Sequence, residues 1–345
     1  MKTLAIRRPD DFHVHLRNGD MLENVAKFTE RHFARALVMP NTMPPIVTAE
    51  QIPFYRREIK QAAPNLEPLM TIKLTMRTTP ETIEKAMAAG AIAAKMYPEG
   101  VTTNSNDAVS SIESLYPVFG CMEYNGMVLC IHGELPEGFV LDREWAFLET
   151  LEAIHQRFPA LRIVLEHVTT DDAVQTVKRL PPNVAATITV HHLMITLDDV
   201  VGGFLQPHHF CKPIPKRDKD LVALVEAATS GNPKFFLGTD SAPHLKENKE
   251  CGSGCAGVFT APVALACLAK VFEDEESLDR LEDFTSTFGA NFYGLPLNEG
   301  QIVLVKHDND DGYVVDHLAG GVVPFMAGKR LQWWVSQNAI RKEQP

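Results

Sequence analysis

Short apolar runs alternate with helix-like segments along most of this chain. Eight runs rich in Val, Ile, Leu and Ala are each closed by a polar residue or a turn, and most are followed by apolar residues at helical spacing. The runs end at His15, Met39, Thr75, Tyr97, His132, His167, Val190 and Asp240. Strands that alternate with helices in this way are typical of βα units and a parallel sheet.

Eight βα units are the number that closes a (β/α)8 TIM barrel, whose active site lies at the carboxyl ends of the strands. A doubly wound open sheet is the alternative, and it would spread the strand-end residues along a crevice. No glycine-rich dinucleotide fingerprint follows the first run, which disfavours the Rossmann form of that sheet. We therefore predict a single barrel domain over residues 1–345, with a small C-terminal appendage from about residue 295.

Composition excludes several classes of protein. The 345 residues are 45% hydrophobic and 22% charged, which is ordinary for a large globular core. The net charge of −11 argues against a nucleic-acid-binding protein, because phosphate binding needs a basic surface. No apolar run reaches the length of a membrane span, and no signal peptide is evident. Six scattered cysteines predict reduced thiols in a cytoplasmic enzyme.

The strand ends carry a chemically coherent set of side chains. His13 and His15 are two residues apart on an extended strand, so both imidazoles point to the same side. Such a pair alone often has only a structural role, and His132, His167 or Asp240 could each be a hydrogen-bonding or capping residue. In a barrel, however, the strand ends converge, and four histidines with an aspartate suit zinc. The strand-end residues are His13, His15, Asn41, Lys95, His132, His167, His191, His192 and Asp240.

Lys95 is unusual because it lies in a largely apolar strand, where a buried ammonium is costly. Burial lowers the pKa of a lysine and makes its amine nucleophilic, so a Schiff base is one possible role. Reaction with carbon dioxide to a carbamate is the other, and the two carbamate oxygens can bridge two metals. The metal ligands around Lys95 favour the carbamate.

Six segments together resemble the dihydroorotases, a family within the amidohydrolase superfamily, and are most similar to the shorter bacterial type. They are His-Val-His-Leu-Arg at 13–17, Met-Pro-Asn-Thr at 39–42, Ala-Lys-Met-Tyr-Pro at 94–98, His-Gly-Glu at 132–134, Glu-His-Val-Thr at 166–169 and Gly-Thr-Asp-Ser-Ala-Pro-His at 238–244. The resemblance spans most of the chain in the same order. It implies a binuclear zinc barrel of pyrimidine biosynthesis that reversibly cyclises N-carbamoyl-L-aspartate to L-dihydroorotate with release of water.

The resemblance also implies a role for each metal ligand. His13, His15 and Asp240 would hold the first metal, His132 and His167 would complete the second, and carboxylated Lys95 (N6-carboxylysine) would bridge both. A hydroxide shared by the metals would attack the ring amide, and Asp240 would be the general acid/base.

The substrate contacts follow from the same resemblance. Arg17, Asn41 and His244 would bind the free carboxylate, for which the planar fork of an arginine is well matched. The backbone of Lys212 and Ala256 would contact the pyrimidine edge, although position 212 is typically apolar in the family. Thr102 and Thr103 would belong to a mobile loop that closes over the substrate, and His15 and His132 would also touch it. The family also implies a homodimer that acts on a small molecule.

Weaker signals and alternatives remain. Cys251 and Cys255 flank a Gly-rich loop that we place at the site mouth in preference to a structural zinc site. We predict a structural or outer role for His191 and His192, and none for the pair at 208–209. A hydantoinase-like enzyme for another cyclic amide, or an inactive scaffold homologue, are the alternative functions. A scaffold would be expected to lose metal ligands, and this chain retains all six positions.

Overall fold

The predicted alternation of strands and helices is present in a computed structural model, which describes residues 2–101, 109–308 and 311–336. The strands are β1 (Lys2–Arg7), β2 (Asp10–Val14), β3 (Arg35–Val38), β4 (Glu67–Lys73), β5 (Ala91–Met96), β6 (Val128–His132), β7 (Ile163–Glu166), β8 (Val184–Ile188), β9 (Phe235–Leu237), β10 (Gln301–Lys306), β11 (Tyr313–Val314), β12 (Arg330–Leu331) and β13 (Trp333–Val335). The helices are α1 (Gly19–His32), α2 (Gln51–Ala62), α3 (Pro80–Ala88), α4 (Tyr116–Asn125), α5 (Arg143–Arg157), α6 (Asp171–Arg179), α7 (Asp198–Val201), α8 (Asp218–Thr229), α9 (Lys246–Lys249), α10 (Ala264–Asp274) and α11 (Phe288–Tyr293).

Strands β2 to β9 form one parallel sheet in the order of the chain, with helices outside it. The sheet closes on itself beyond the last strand. The N–H of Asp240 donates to the carbonyl oxygen of His13 at 2.8 Å, and the N–H of His15 donates to that of Ser241 at 3.0 Å. This closure confirms the (β/α)8 barrel and excludes the open doubly wound sheet.

Aromatic side chains fill the amino-terminal half of the barrel. Phe12 stacks on Tyr293 of α11 with ring centres 4.9 Å apart, and it meets Phe236 of β9 edge-on at 5.5 Å. Gly289 makes this contact possible, because a Cβ there would lie 2.2 Å from the Phe12 ring. The pairing of β2 with β3 shifts register between Asp11 and Val14. Irregularities of this kind often re-aim side chains beside active sites.

The first apolar run is divided between two sheets, which the sequence did not predict. Residues Lys2–Arg7 pair antiparallel with Gln301–Lys306, and that strand pairs with Trp333–Val335. Only Asp10–Val14 enters the barrel. The N-terminal strand therefore joins the predicted C-terminal appendage, while the assignment of 1–345 to one domain stays a prediction.

Local capping explains where several helices begin. The Thr170 hydroxyl accepts the N–H of Ala173 at 3.2 Å at the start of α6. Helix α2 begins at Gln51, whose side-chain oxygen accepts the N–H groups of Val47 and Thr48 at 2.8 and 2.9 Å. Among the helices described here, none is long and apolar enough to cross a membrane.

Candidate metal centre

The carboxyl ends of the barrel strands surround one cavity. His13 lies within β2 and His15 directly after it, while His132 ends β6 and His167 follows β7. Asp240 lies in the segment that closes the barrel. The residues that line the cavity are His13, His15, Arg17, Asn41, Tyr97, His132, His167, Lys212, Asp240, Ala242, His244, Ala256 and Gly257. The fold therefore collects most of the predicted site residues at the predicted end of the barrel.

Three of the predicted ligands form a compact group, which we call the first cluster: His13, His15 and Asp240. Asp240 Oδ1 lies 2.9 Å from His15 Nε2 and 3.4 Å from His13 Nε2. One ligand atom from each side chain lies within 4.8 Å of the others, and all three residues are buried. This spacing allows all three to coordinate one metal ion.

The other ring nitrogen of each histidine has an acceptor of its own. His13 Nδ1 lies 2.7 Å from Glu166 Oε2, and His15 Nδ1 lies 2.7 Å from Asn41 Oδ1. These contacts fix the tautomers so that both Nε2 atoms are available to a metal, as second-layer acceptors do in metal sites. Asn41 thus orients a ligand with its oxygen and keeps its amide nitrogen for the predicted substrate contact.

His132 and His167 form a pair beside the first cluster. Their ring centres are 4.7 Å apart, and that of His167 lies 5.1 Å from that of His13. Glu134 Oε2 lies 2.8 Å from His132 Nε2, which leaves Nδ1 for a metal. His167 Nδ1 is buried without a hydrogen-bond partner in the described part of the chain. Such an unsatisfied nitrogen is expected where a bound ion belongs.

Two of these ligands have unusual backbone conformations. His167 has a φ of 44° and Asp240 a φ of 45°, in the left-handed region that non-glycine residues rarely adopt. The N–H of His167 donates to the Thr187 hydroxyl oxygen at 2.7 Å, and that hydroxyl donates to Glu166 at 2.6 Å. Such strain persists only where the surroundings hold it, and it is common at functional sites.

Lys95 is fully buried, and its Nζ has no hydrogen-bond partner among the described residues. Burial lowers the pKa of its ammonium, against the attraction of Glu166. Nζ lies 5.3 Å from the ring centre of Tyr97 in the cavity wall. A neutral, unpartnered amine is the form that reacts with carbon dioxide, and a carbamate would satisfy it. The residues therefore fit a carboxylated lysine beside a metal centre.

The charge states in the first cluster suit cation binding. Burial lowers the pKa of His15 to about 4, despite its contact with Asp240, so the ring is neutral at pH 7. Burial would raise the pKa of Asp240, but its contacts with the imidazoles of His15 and His13 hold it below its usual value, so it is a carboxylate at pH 7. A carboxylate and neutral imidazoles are the forms that bind a metal.

Asp11 links the closure of the barrel to the site. Its Oδ1 accepts the N–H groups of Thr239 at 2.8 Å and His13 at 3.2 Å, and its Oδ2 accepts the Thr239 hydroxyl at 2.6 Å. Burial raises its pKa to about 7, although the hydrogen bonds from Thr239 oppose this. Asp11 therefore fixes the backbone beside both His13 and Asp240.

Arg17 and His244 line the cavity at the carboxyl end of the barrel. Arg17 donates from Nε to the carbonyl oxygen of Pro243 at 3.0 Å, and its Nη2 lies 3.0 Å from His244 Nε2. That nitrogen also lies 3.0 Å from the carbonyl oxygen of Ala256. Arg17 has a φ of 61° and lies in the connection between β2 and α1, not on an extension of the strand.

Other predicted residues are placed as follows. Lys212 and Ala256 line the cavity, whereas Thr102 and Thr103 lie outside the described residues. His191, His192 and Cys211 form a second buried group, which we call the second cluster. Cys251 is exposed and Cys255 half-buried, in a loop beside the site.

Three residues of the site were not assigned a role from the sequence: Glu166, Glu134 and Tyr97. Glu166 and Glu134 hold His13 and His132, and both are buried. The sequence did contain a signal, because each carboxylate lies at or near the end of an apolar strand. Burying a carboxylate there is costly unless it has a partner. The hydroxyl of Tyr97 is buried without a partner among the described residues, and burial raises its pKa well above its usual value.

Comparison with known proteins gives a consistent result. The sequence profile of the amidohydrolase family matches residues 10–303. A curated dihydroorotase of Aliivibrio fischeri strain MJ11 is 49% identical over 344 residues, covering 97% of this chain and 100% of that protein.

Two solved structures extend the match to the fold. The dihydroorotase of Campylobacter jejuni is 39% identical with a TM-score of 0.90, covering 97% of this chain and 98% of that one. The dihydroorotase of Saccharomyces cerevisiae, in complex with 5-fluoroorotic acid, is 36% identical with a TM-score of 0.91, covering 97% and 99%. The chain belongs to the amidohydrolase family and, within it, to the dihydroorotases, hydrolases of pyrimidine biosynthesis.

Proposed function

We propose that this dihydroorotase uses two zinc ions per subunit, with carboxylated Lys95 as their shared ligand. The observation that carries the proposal is the buried amine of Lys95, which has no hydrogen-bond partner in the described chain. The first cluster would hold one ion, and His132 with His167 the other. Imidazole and carboxylate ligands favour zinc among the common metals.

When bound, the zinc pair supplies Lewis acidity, which makes water nucleophilic near neutral pH and polarises the amide carbonyl. Asp240 takes the proton from the attacking water and returns it to the leaving ring nitrogen. Its lowered pKa keeps it deprotonated, which is the form that has a free oxygen for that proton. In the direction of cyclisation, the same carboxylate removes a proton from the carbamoyl nitrogen of N-carbamoyl-L-aspartate.

The substrate carboxylate is bound by Arg17, with Asn41 and His244 beside it. The guanidinium is held by Pro243 and His244, so its planar fork is oriented before the substrate arrives. The yeast relative binds 5-fluoroorotic acid, a pyrimidine that carries a carboxylate, and this supports the same ligand chemistry here. The backbone of Lys212 and Ala256 would contact the ring edge, and Thr102 with Thr103 would close over it.

We further propose a cytoplasmic homodimer. All six cysteines are free thiols, which supports a reducing compartment. The dimer rests on the family resemblance, and sedimentation analysis of the purified protein would measure it.

The metal assignment is tested by Lys95→Ala, with zinc content and turnover of L-dihydroorotate measured on the same sample. Loss of the shared ligand should release zinc and lower kcat by about 10³-fold, because the Lewis acid is lost. Lys95→Glu, which restores an anion at this position, should recover part of the zinc. Full zinc content with near-normal turnover in Lys95→Ala would rule out the bridging carbamate.

The substrate assignment is tested by Arg17→Met. Removing the guanidinium should raise KM for L-dihydroorotate by at least about 10²-fold, since a charged hydrogen-bonded pair is lost on binding. Zinc content should stay normal because Arg17 contacts no predicted ligand directly. An unchanged KM would exclude Arg17 from carboxylate binding.

A further inference from the structure

Lys249 is a buried lysine that has no carboxylate partner among the described residues. It ends the short helix α9, and its side chain is 3% exposed. Nζ donates to the carbonyl oxygens of Phe210 at 2.8 Å and Gly257 at 2.6 Å, and it lies 5.9 Å from the centre of the Phe210 ring. Within the described ranges, no carboxylate lies within ion-pair distance of it. Buried charges are normally paired, so this ammonium requires an explanation.

The two carbonyls belong to segments that line the cavity. Phe210 lies two residues before Lys212, and Gly257 directly follows Ala256; Lys212, Ala256 and Gly257 line the cavity. The Phe210 carbonyl oxygen also accepts the N–H of Gly257 at 2.9 Å. The wall is tightly built, because a Cβ at Gly257 would lie 2.4 Å from the carbonyl oxygen of Ala242. The Lys249 ammonium therefore connects the two segments by one hydrogen bond to each.

The same part of the site has an excess of positive charge. Arg17 donates to the carbonyl oxygen of Pro243 and, like Lys249, has no carboxylate within ion-pair distance in the described chain. Burial lowers the pKa of the Lys249 ammonium, and the positive charge of Arg17 lowers it further. The charge of Asp240 acts on Arg17, but that carboxylate is a predicted metal ligand, so these two partly desolvated cations have no hydrogen-bonded anion of their own in the described chain. The free carboxylate of the substrate is such an anion.

We propose that Lys249 is a positioning and specificity-determining residue for the acidic substrate. Its ammonium holds the Phe210 and Gly257 carbonyls in place and, with Arg17, supplies the positive charge that the substrate carboxylate neutralises. It acts on the substrate through the backbone of the wall and through its charge, without direct contact. The inference rests on the proposed substrate assignment and adds a second cation to it.

The main test compares Lys249→Met with Lys246→Met in the zinc-loaded enzyme. Lys246 lies on the same helical turn but is exposed and bonds Glu250, so it is the matched control. In Lys249→Met, KM for L-dihydroorotate should rise about 10- to 100-fold while kcat changes less than about threefold, since the metal ligands and Asp240 are untouched. KM for the uncharged carboxamide of L-dihydroorotate should change by less than about threefold. An equal change for the acid and the carboxamide, or no change for either, would overturn the proposal.

A second measurement remains informative if Lys249→Met does not fold. Burial, together with the positive charge of Arg17, lowers the pKa of Lys249 to about 8, and the thiols of Cys211 and Cys255 also lie near it. The charge is therefore lost as the pH rises through about 8. KM for L-dihydroorotate should rise above that pH in the wild type but not in Lys249→Arg, which keeps its charge. Parallel KM profiles for the two proteins would contradict the proposal.

These outcomes separate the inference from the proposed function. If the wild-type enzyme with full zinc content does not act on L-dihydroorotate, the proposed function fails. If it does act, and Lys249→Met behaves like Lys246→Met, only the role of Lys249 fails.

Discussion

The mouth of the barrel contains two buried groups that resemble each other as sets of ligand atoms. The first cluster offers two imidazoles and a carboxylate, and the second offers His191, His192 and the thiol of Cys211. In each, one ligand atom per residue lies within 4.8 Å of the others. They differ in what surrounds them. Each histidine of the first cluster presents its distal nitrogen to an oxygen of Glu166 or Asn41.

In the second cluster, the ring nitrogens of His192 are both engaged. Nδ1 lies 2.8 Å from the Thr189 hydroxyl and Nε2 lies 3.1 Å from the Pro213 carbonyl oxygen. The Cys211 thiol donates to that same carbonyl at 3.3 Å, and burial raises its pKa, so it stays protonated. The charge of Lys216 also acts on His192. In the described chain the second cluster therefore offers free ring nitrogens only on His191, and it contains no carboxylate, so three potential ligands at this spacing are not sufficient for a metal site.

The largest expected difference between the clusters is in turnover. Asp240→Asn should lower kcat for L-dihydroorotate by about 10⁴-fold, because the amide can neither accept the water proton nor balance a cation. Cys211→Ser, in the second cluster, should stay within a few-fold of the wild type. The measurement is steady-state kinetics on samples of known zinc content. If Asp240→Asn keeps more than a tenth of the normal kcat, Asp240 is not the general acid/base.

A smaller difference is expected in metal affinity. Glu166→Gln should weaken zinc binding by about 100-fold, because the carboxylate that fixes the His13 tautomer and raises its basicity is lost. Competition with a chelator measures this affinity, and Cys211→Ser should bind zinc as the wild type does. A loss of affinity in Cys211→Ser, with none in Glu166→Gln, would reverse the assignment of the two clusters.

Residues of the first cluster could be found from the sequence because each lies where an apolar run ends. The convergence of His13 and Asp240 then follows from the parallel barrel, without any knowledge of individual contacts. The same reasoning predicted an outer role for His191 and His192 only by analogy with the family. The hydrogen bond of His192 Nε2 depends on Pro213, whose position relative to β8 is not encoded in a local pattern.

Contacts between distant segments were not predictable in the same way. The pairing of Lys2–Arg7 with Gln301–Lys306 joins segments near the two ends of the described chain. No turn or repeat in the sequence predicts this pairing. The role of Lys249 likewise depends on the Phe210 and Gly257 carbonyls, which belong to two separate loops. Side chains at strand ends are placed by topology, whereas these contacts are set by packing.

The smallest expected difference concerns stability in acid and distinguishes His191 of the second cluster. Both of its ring nitrogens are buried without a hydrogen-bond partner in the described chain, and burial lowers its pKa to about 4. Unfolding restores a pKa near 6.5, so the unfolded chain takes up a proton that the folded protein does not. The free energy of unfolding should therefore fall as the pH drops from 6.5 toward 4.

The contribution of His191 is about 2 kcal/mol between pH 8 and pH 5, from its two pKa values. In His191→Phe, which cannot titrate, the loss of stability over this range should be smaller by that amount. Urea unfolding of both proteins at the two pH values measures it, and the release of zinc in acid largely cancels in the difference. Equal losses would mean that His191 has the same pKa in the folded protein as in the unfolded chain, so that burial does not hold the folded ring neutral.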